Sequence, residues 1–250
     1  MIFSRFPATL EGMRIPITKY GLPQAAAYPA LLATLMLVYA LVFWRVFPQS
    51  MHSGAALWLT GVLPEVLLLA GLVWVLLFFR DPIRTIPDDP TLLLSPADGT
   101  VSDIEPVFET AVGDGRAIRI GIFLSIFNVH IQRMPSAVRV VSITYKPGRF
   151  LNALRGEQAG KLNESNSLLL ERLQPPADRL LVRQIAGAIA RRIVCQAAEN
   201  QTFTAGQPFG MIKFGSRAEL YVPARPNLKI LVKVGDKVKA GTTPLARYEI

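Results

Sequence analysis

Three side chains of this sequence have the chemical types needed to activate a serine hydroxyl. Ser216 follows Gly215 in the stretch 210–217, which links two short apolar segments. His130 is one of two histidines in the chain, and Asp98 lies far upstream in Ser-Pro-Ala-Asp-Gly. In an Asp-His-Ser arrangement the carboxylate orients the imidazole, and the imidazole takes the hydroxyl proton. The three residues predict nucleophilic chemistry at serine, but they do not identify what the serine attacks.

Each of these residues also has a purely structural interpretation. Pro, Asp and Gly in the order found around Asp98 are typical of a turn. A histidine on an apolar strand, such as His130, is more often a hydrogen-bonded core residue, and most Gly-Ser pairs are turns. Because the chain has so few histidines, His130 is still the best candidate for an acid–base step near pH 7.

The elements that must position these residues are short strands. From Leu92 onward, apolar runs are interrupted by Gly, Pro and Asp, which is the pattern of a mostly β domain. The chain from Leu228 to Gly241 resembles the hammerhead turn of biotinyl and lipoyl carrier domains, so we predict a compact β-sandwich of that kind. The predicted strands cover 116–124, 138–145, 168–173, 180–185, 190–196, 211–214, 219–222 and 228–234, and a short helix covers 150–159.

Two apolar segments precede this domain. Residues 24–46 are almost uncharged, and residues 55–79 carry only Glu65. Each is long enough to cross a bilayer, which takes roughly 20 apolar residues in a helix. We therefore predict an N-terminal membrane-anchoring hairpin within residues 1–79 and a catalytic domain over 80–250.

Three residues weaken the prediction that the hairpin spans the bilayer. Pro29 and Pro64 interrupt the apolar segments, and a charged Glu65 is costly in the middle of a bilayer. Glu65 could be protonated, face the partner helix or mark a re-entrant segment. A shallower membrane-embedded hairpin and a buried pair of helices in a soluble protein therefore stay open.

The basic residues around the hairpin predict its orientation. The connection 47–54 has no Lys or Arg, whereas both outer ends of the hairpin are basic, and cytoplasmic flanks are the ones enriched in these residues. We expect both ends, and the catalytic domain, on the cytoplasmic side of the cell membrane. The flanking basic residues are Arg5, Arg14, Lys19, Arg80 and Arg84.

Charge and cysteine content narrow the partners. The net charge is +9. For a basic chain with membrane segments, anionic lipid is a better candidate partner than nucleic acid. The sequence also has no recognisable nucleic-acid-binding module. The single Cys195 excludes an internal disulfide and fits a reducing cytoplasm. Its apolar neighbours indicate a structural thiol rather than a nucleophile.

A series of motifs over residues 79–250 resembles the phosphatidylserine decarboxylases. The motifs occur in the same order as in that family, and the likeness is greatest to the short bacterial and archaeal-type branch, where Arg follows the cleaved Gly-Ser. Position 133 is Arg here, where the better-known branch has a second histidine. The motifs are Phe-Arg-Asp-Pro at 79–82, Ser-Pro-Ala-Asp-Gly at 95–99, Asn-Val-His at 128–130, Gly-Arg-Phe-Leu-Asn-Ala at 148–153, Asn-Glu-Ser-Asn at 163–166 and the stretch 210–217.

The resemblance implies a function for the three side chains. The family cuts its own chain at a Gly-Ser bond, so cleavage would fall between Gly215 and Ser216, with His130, held by Asp98, as the base. The products would be a large subunit, 1–215, and a small subunit, 216–250, whose Ser216 has become a covalent pyruvoyl (pyruvate-derived) cofactor. The pyruvoyl ketone would form a Schiff base with the amine of a serine phospholipid, with no metal required. The resemblance leaves open the lipid backbone and whether the protein forms a homo-oligomer.

Two other functions remain open from the residues alone. A membrane-anchored carrier- or adaptor-like β-domain without enzymatic activity would fit the C-terminal hammerhead, although no lysine lies between two methionines at the turn. A membrane-bound serine hydrolase would use the same three residues but would need an intact Ser216. Self-cleavage of the purified protein distinguishes the decarboxylase from both.

Overall fold

The structure, a computed structural model, describes residues 17–149, 162–187, 192–213 and 216–249. It divides into two units, one ending at Ile83 and the other beginning at Arg84. The first unit is helical and the second consists of strands, which confirms the predicted fold class of a mostly β domain preceded by two hydrophobic helices. The helix predicted over 150–159 lies outside the described residues.

The first unit contains two long helices that pack against each other. One runs from Gln24 to Val46, as predicted, and the other from Gly54 to Phe78, one residue earlier at each end than predicted. A short 3-10 helix, Gln49–His52, lies between them, and another, Lys19–Gly21, precedes them. Both long helices have the length and apolar composition to cross a membrane, and only 6% and 17% of their most apolar segments are buried.

The second helix is irregular around its acidic residue. It begins with α-helical Gly54–Ala56, continues as a π-helix over Leu57–Val62 and returns to α-helix over Leu63–Phe78. Glu65 lines a cavity of about 300 Å³ that is otherwise almost entirely apolar, together with Tyr39 and Phe43 of the first helix. Glu65 therefore faces the partner helix, one of the possibilities considered for it.

The second unit contains fourteen strands among its described residues, arranged in three antiparallel sheets. The strands are β1 Leu92–Leu94, β2 Gly99–Phe108, β3 Arg116–Leu124, β4 Ile131–Arg133, β5 Val138–Lys146, β6 Ser165–Arg172, β7 Arg179–Ile185, β8 Arg192–Cys195, β9 Thr202–Phe203, β10 Pro208–Lys213, β11 Ser216–Pro223, β12 Leu228–Ile230, β13 Lys237–Val238 and β14 Pro244–Tyr248. The large sheet has the order β13-β2-β3-β11-β7-β6-β5-β9, and the two small sheets have the orders β1-β14-β12 and β4-β10-β8.

The three sheets contribute to one hydrophobic core. Alternate residues of β11 and β3, such as Leu220 and Ile122, point into it from the large sheet. Phe209 of β10 and Leu245 of β14 reach it from the two small sheets. The core thus fixes the small sheet that carries β4 and β10 against the large sheet that carries β11.

The C-terminal segment has the predicted order of strand, turn and further strand. The predicted strand 228–234 ends at Ile230, and Gly235 makes the predicted turn with a φ of 96°. The strands on either side of that turn do not pair with each other, because β12 pairs with β14 and β13 pairs with β2. This segment therefore connects two sheets instead of forming a hairpin.

Candidate active site

Ser216 lies where the chain passes from one sheet to another. It is the first residue of β11, which belongs to the large sheet, and β10 of a small sheet ends at Lys213. Ser216 is opposite Leu124, the last residue of β3, and is fully buried. Its Oγ has no hydrogen-bond partner in the described part of the chain. Gly215, the other residue of the predicted cleavage site, lies outside the described residues.

His130 reaches this region through the connection between β3 and β4. Met211 of β10 is opposite Ile131 of β4, so the same antiparallel register places His130 beside Ile212. The connection 125–130 therefore leads from β3, which pairs with β11, to β4, which pairs with β10. His130 is fully buried, as expected for a residue held between the sheets.

The backbone carbonyl of Asn128 orients the imidazole of His130. His130 Nδ1 lies 2.9 Å from the Asn128 carbonyl oxygen, and a carbonyl only accepts, so Nδ1 carries the hydrogen. In the neutral ring the lone pair is then on Nε2. Asn128 is itself fixed, because its Oδ1 accepts hydrogen bonds of 2.8 Å from both the N–H and the hydroxyl of Ser125. This connection presents His130 with a defined tautomer.

Asp98 is buried, but it does not orient His130 in this structure. Its Oδ2 accepts a hydrogen bond of 2.7 Å from Arg84, and its Oδ1 accepts one of 2.8 Å from the backbone N–H of Ala240. Among the described residues it makes no hydrogen bond to His130, which differs from the predicted arrangement. These two hydrogen bonds occupy both carboxylate oxygens, and through them Asp98 joins the start of the domain to its C-terminal segment.

Sequence reasoning missed two further features near Ser216. Lys213 is buried, and burial, reinforced by the positive charge of Arg192 opposite it on β8, lowers its pKa. A series of buried amide side chains also begins at Gln132, two residues after His130. Gln132 could have been found from strand alternation, whereas the burial of Lys213 has no signal in the sequence.

Cys195 is half-buried at the end of β8. Burial raises the pKa of its thiol, with hydrogen bonds from Ala197 and Asn166 acting in the opposite direction. A thiol that is harder to ionise is a weaker nucleophile at neutral pH. This agrees with the structural role expected from its apolar neighbours.

The fold and site together define a mostly β protein with a buried serine and histidine at a junction between sheets. A family model for phosphatidylserine decarboxylase matches residues 72–246. A phosphatidylserine decarboxylase proenzyme of Rhodopirellula baltica is 44% identical over 192 residues, which are 77% of this chain and 78% of that protein. One of Gluconacetobacter diazotrophicus is 46% identical over 175 residues, covering 69% and 76%, and one of Desulfotalea psychrophila is 42% identical over 186 residues, covering 74% and 84%. The chain belongs to the phosphatidylserine decarboxylase family.

Proposed function

We propose that this chain decarboxylates phosphatidylserine to phosphatidylethanolamine, and that it makes its reactive group by cutting itself between Gly215 and Ser216. The observation that carries the proposal is the Ser216 hydroxyl, which is buried and has no partner among the described residues. A buried hydroxyl is normally hydrogen-bonded, so an exception needs an explanation. A serine that attacks the peptide bond before it and is then converted to a pyruvoyl group provides that explanation.

Maturation uses the chain's own residues. His130 takes the proton of Ser216 through Nε2, and the Ser216 Oγ attacks the Gly215 carbonyl carbon. The peptide C–N bond breaks, the nitrogen takes a proton, and an ester joins the two residues. Removal of the Cα proton of residue 216 then expels the Gly215 carboxylate and leaves a dehydroalanine, whose amine is replaced by a ketone oxygen from water with release of ammonia.

The position of Ser216 fits the pyruvoyl group that the family implies. The side chain that would become the group is fully buried at a strand end. The pyruvoyl ketone would bind the substrate amine covalently and take up the electron pair left when CO₂ departs. His130 is the proposed proton donor afterwards, because its ring is already oriented by Asn128. Asp98 stays a proposed contributor, although orienting His130 would require it to release Arg84 or Ala240.

Intact mass spectrometry of the purified protein tests this function. We expect two chains, 1–215 and 216–250, with the small one lacking a free N-terminal amine. Ser216→Ala should stay a single chain and be inactive, while Ser142→Ala, at a serine of β5 remote in sequence, should mature normally. A wild-type protein that stays intact, or cleavage that persists in Ser216→Ala, would contradict the proposal. A single intact chain would favour the carrier or serine hydrolase instead.

We also propose that residues 1–79 anchor the catalytic domain, 80–250, to the cytoplasmic face of the cell membrane. The two long apolar helices suggest membrane association, and the basic residues at both outer ends support the orientation. In a Cys195→Ser background, Ser53→Cys in the connection between the helices should react with an impermeant maleimide on intact cells. Labelling of Ser53→Cys only after lysis would place the connection inside instead.

A further inference from the structure

Three buried amide side chains form a hydrogen-bonded series beside the site. Asn166 of β6 donates from Nδ2 to Gln184 Oε1 of β7 at 2.9 Å. Gln184 donates from Nε2 to Gln132 Oε1 of β4 at 2.6 Å. Gln132 and Gln184 are fully buried, and Asn166 is nearly so. The series therefore crosses from the large sheet to the small sheet that carries β4.

The direction of the series is fixed by its surroundings. Gln184 Nε2 is also 3.5 Å from the Val194 carbonyl oxygen, an acceptor, so this end of the Gln184 amide must be the donor. Gln132 must then offer Oε1 to Gln184. This leaves Gln132 Nε2 as the far end of the series, buried and without a hydrogen-bond partner in the described part of the chain.

The register places this amide group close to Ser216. His130 immediately precedes β4 and Gln132 is two residues after it, so the strand alternation carried back by one residue places the two side chains on the same face. Gln184 is opposite Ala218 of β11, and Ser216 is two residues before Ala218 on the same face, about 7 Å along the strand. Because Gln184 contacts Gln132, these two faces meet here, with His130 and Ser216 both adjacent to the contact.

A glycine keeps the contact close. Gly210 is opposite Gln132 on β10, and a Cβ at that position would lie 2.3 Å from the Val194 carbonyl oxygen and 3.1 Å from Gln184 Nε2. Any other residue would have to displace the Val194 carbonyl and would crowd the Gln184 amide. The chain therefore has a side-chain-free position where the series crosses between the sheets.

An oriented, buried N–H without a resting partner is suited to a charge that appears later. A donor stabilises a reaction most when its partner is present in the transition state and absent before it. We propose that Gln132 Nε2 donates a hydrogen bond to an anionic oxygen beside Ser216, and that Gln184 and Asn166 are positioning residues for it. The inference rests on the proposed function, which generates one such oxygen at this position and binds another.

Two oxygens have the required chemistry. During maturation, attack by Ser216 Oγ moves the π electron pair of the Gly215 carbonyl onto its oxygen, and the pair returns when the C–N bond breaks. After maturation, the substrate brings a carboxylate, whose oxygens carry the charge until CO₂ leaves. Both are oxygen anions, and measuring self-cleavage and decarboxylation separately distinguishes them.

The test compares Gln132→Glu and Gln132→Met with Gln201→Glu. Gln132→Glu keeps an oxygen for Gln184 Nε2 and replaces only the N–H donor. Gln201→Glu is the matched control, because Gln201 is exposed and its Oε1 likewise accepts a hydrogen bond, from Ala198. Full-length precursors are synthesised in the presence of nanodiscs, cleavage is followed on gels, and matured enzyme is assayed for CO₂ release.

Loss of one such donor costs about 10²–10³-fold in rate. We expect this loss in Gln132→Met at every pH. In Gln132→Glu we expect it above the pKa of the new carboxyl and partial recovery below it, because a protonated carboxyl can donate again. Rates are normalised to wild type at each pH, so that the pH dependence shared with wild type cancels. A role in packing alone would not produce this pH-dependent recovery.

The outcomes separate the two oxygens and the two levels of the proposal. Slow cleavage assigns the donor to the carbonyl oxygen, while normal cleavage with reduced kcat/KM assigns it to the substrate carboxylate. If folded Gln132→Met cleaves and decarboxylates like Gln201→Glu, the inference is wrong although the proposed function stands. If wild type itself does not cleave, the proposed function fails.

Discussion

Replacing Arg217 with Met should strongly destabilise the catalytic domain. Arg217 follows Ser216 on β11, yet its side chain is 1% exposed. Its Nε donates to Glu219 Oε1 at 2.8 Å, and its Nη2 lies 2.7 Å from Asp103 Oδ2. Its Nη1 donates to Ser102 Oγ at 2.7 Å. The guanidinium thus compensates two carboxylates, one of which, Glu219, is fully buried.

The size of the effect follows from what the substitution leaves behind. Removing one partner of a buried ion pair costs about 3–5 kcal/mol, because the other charge stays buried. Arg119 and Arg183 remain 3.9 Å from Glu219, so we expect a loss of about 3 kcal/mol, the lower end of that range. For Arg116→Met we expect a much smaller loss, because the Arg116–Asp114 pair is exposed and screened by solvent.

The free energy of unfolding is best measured by pulse proteolysis in urea. All variants carry Ser216→Ala, so that each stays a single chain and unfolds unimolecularly. Tryptophan fluorescence would not serve, because Trp44, Trp58 and Trp74 all belong to the helical hairpin. Equal losses in Arg217→Met and Arg116→Met would refute the reasoning.

A glycine gives an independent check of the same network. Gly121 of β3 lies between Asp103 and Glu219 in the sheet register. A Cβ there would lie 2.0 Å from Arg217 Nη2 and 2.5 Å from Asp103 Oδ2. Gly121→Ala should therefore also destabilise the domain, because the ion pairs that hold these groups would have to break or shift.

Three further predictions concern acid stability, the subunits and the anchor. Burial raises the pKa of Asp103, but the charge of Arg217, hydrogen bonds from Ser102 and Arg217, and the charge of Arg119 outweigh it. The pKa of Asp103 is therefore lowered. The stabilisation from Asp103 should thus be complete above the unfolded pKa of about 3.9 and be lost as pH falls through the lower folded pKa. In urea titrations, the stability difference between wild type and Asp103→Asn should therefore shrink below about pH 4. After cleavage, 216–250 should co-elute with 1–215 in gel filtration without denaturant. The reason is that β11 lies between β3 and β7, while β13 pairs with β2 and β14 pairs with β1. Dissociation of the native subunits would contradict this. Deleting 1–79 should leave self-cleavage intact on gels. It should reduce CO₂ release from bilayer substrate far more than from a soluble short-chain analogue, because tethering raises the local concentration of substrate. Equal losses in a folded, cleaved protein would exclude tethering as the reason.

Local patterns were enough to predict most elements. The first long helix and β3 have the predicted bounds, since the helix has a long, almost uncharged segment and the strand an alternating apolar pattern. For β11, only 219–222 was predicted, although the strand begins at Ser216. Ser-Arg-Ala-Glu does not resemble a buried strand, because Arg217 and Glu219 are compatible with burial only once they pair with each other and with Asp103.

The sequence by itself determined the class of chemistry, the helical hairpin, the β character of the domain and the candidates Ser216 and His130, because these depend on residue types and on periodicity within short segments. The tertiary structure decided which groups meet. Asn128 rather than Asp98 orients His130, Asp98 binds Arg84 and Ala240, and Gln132 is linked to Gln184. The Gln132–Gln184 contact arises where β4 pairs with β10 and β11 pairs with β7, and the Asp98–Ala240 contact likewise joins residues far apart in the chain. Such pairings are set by the shared core and the register between strands, and no local segment carries that information.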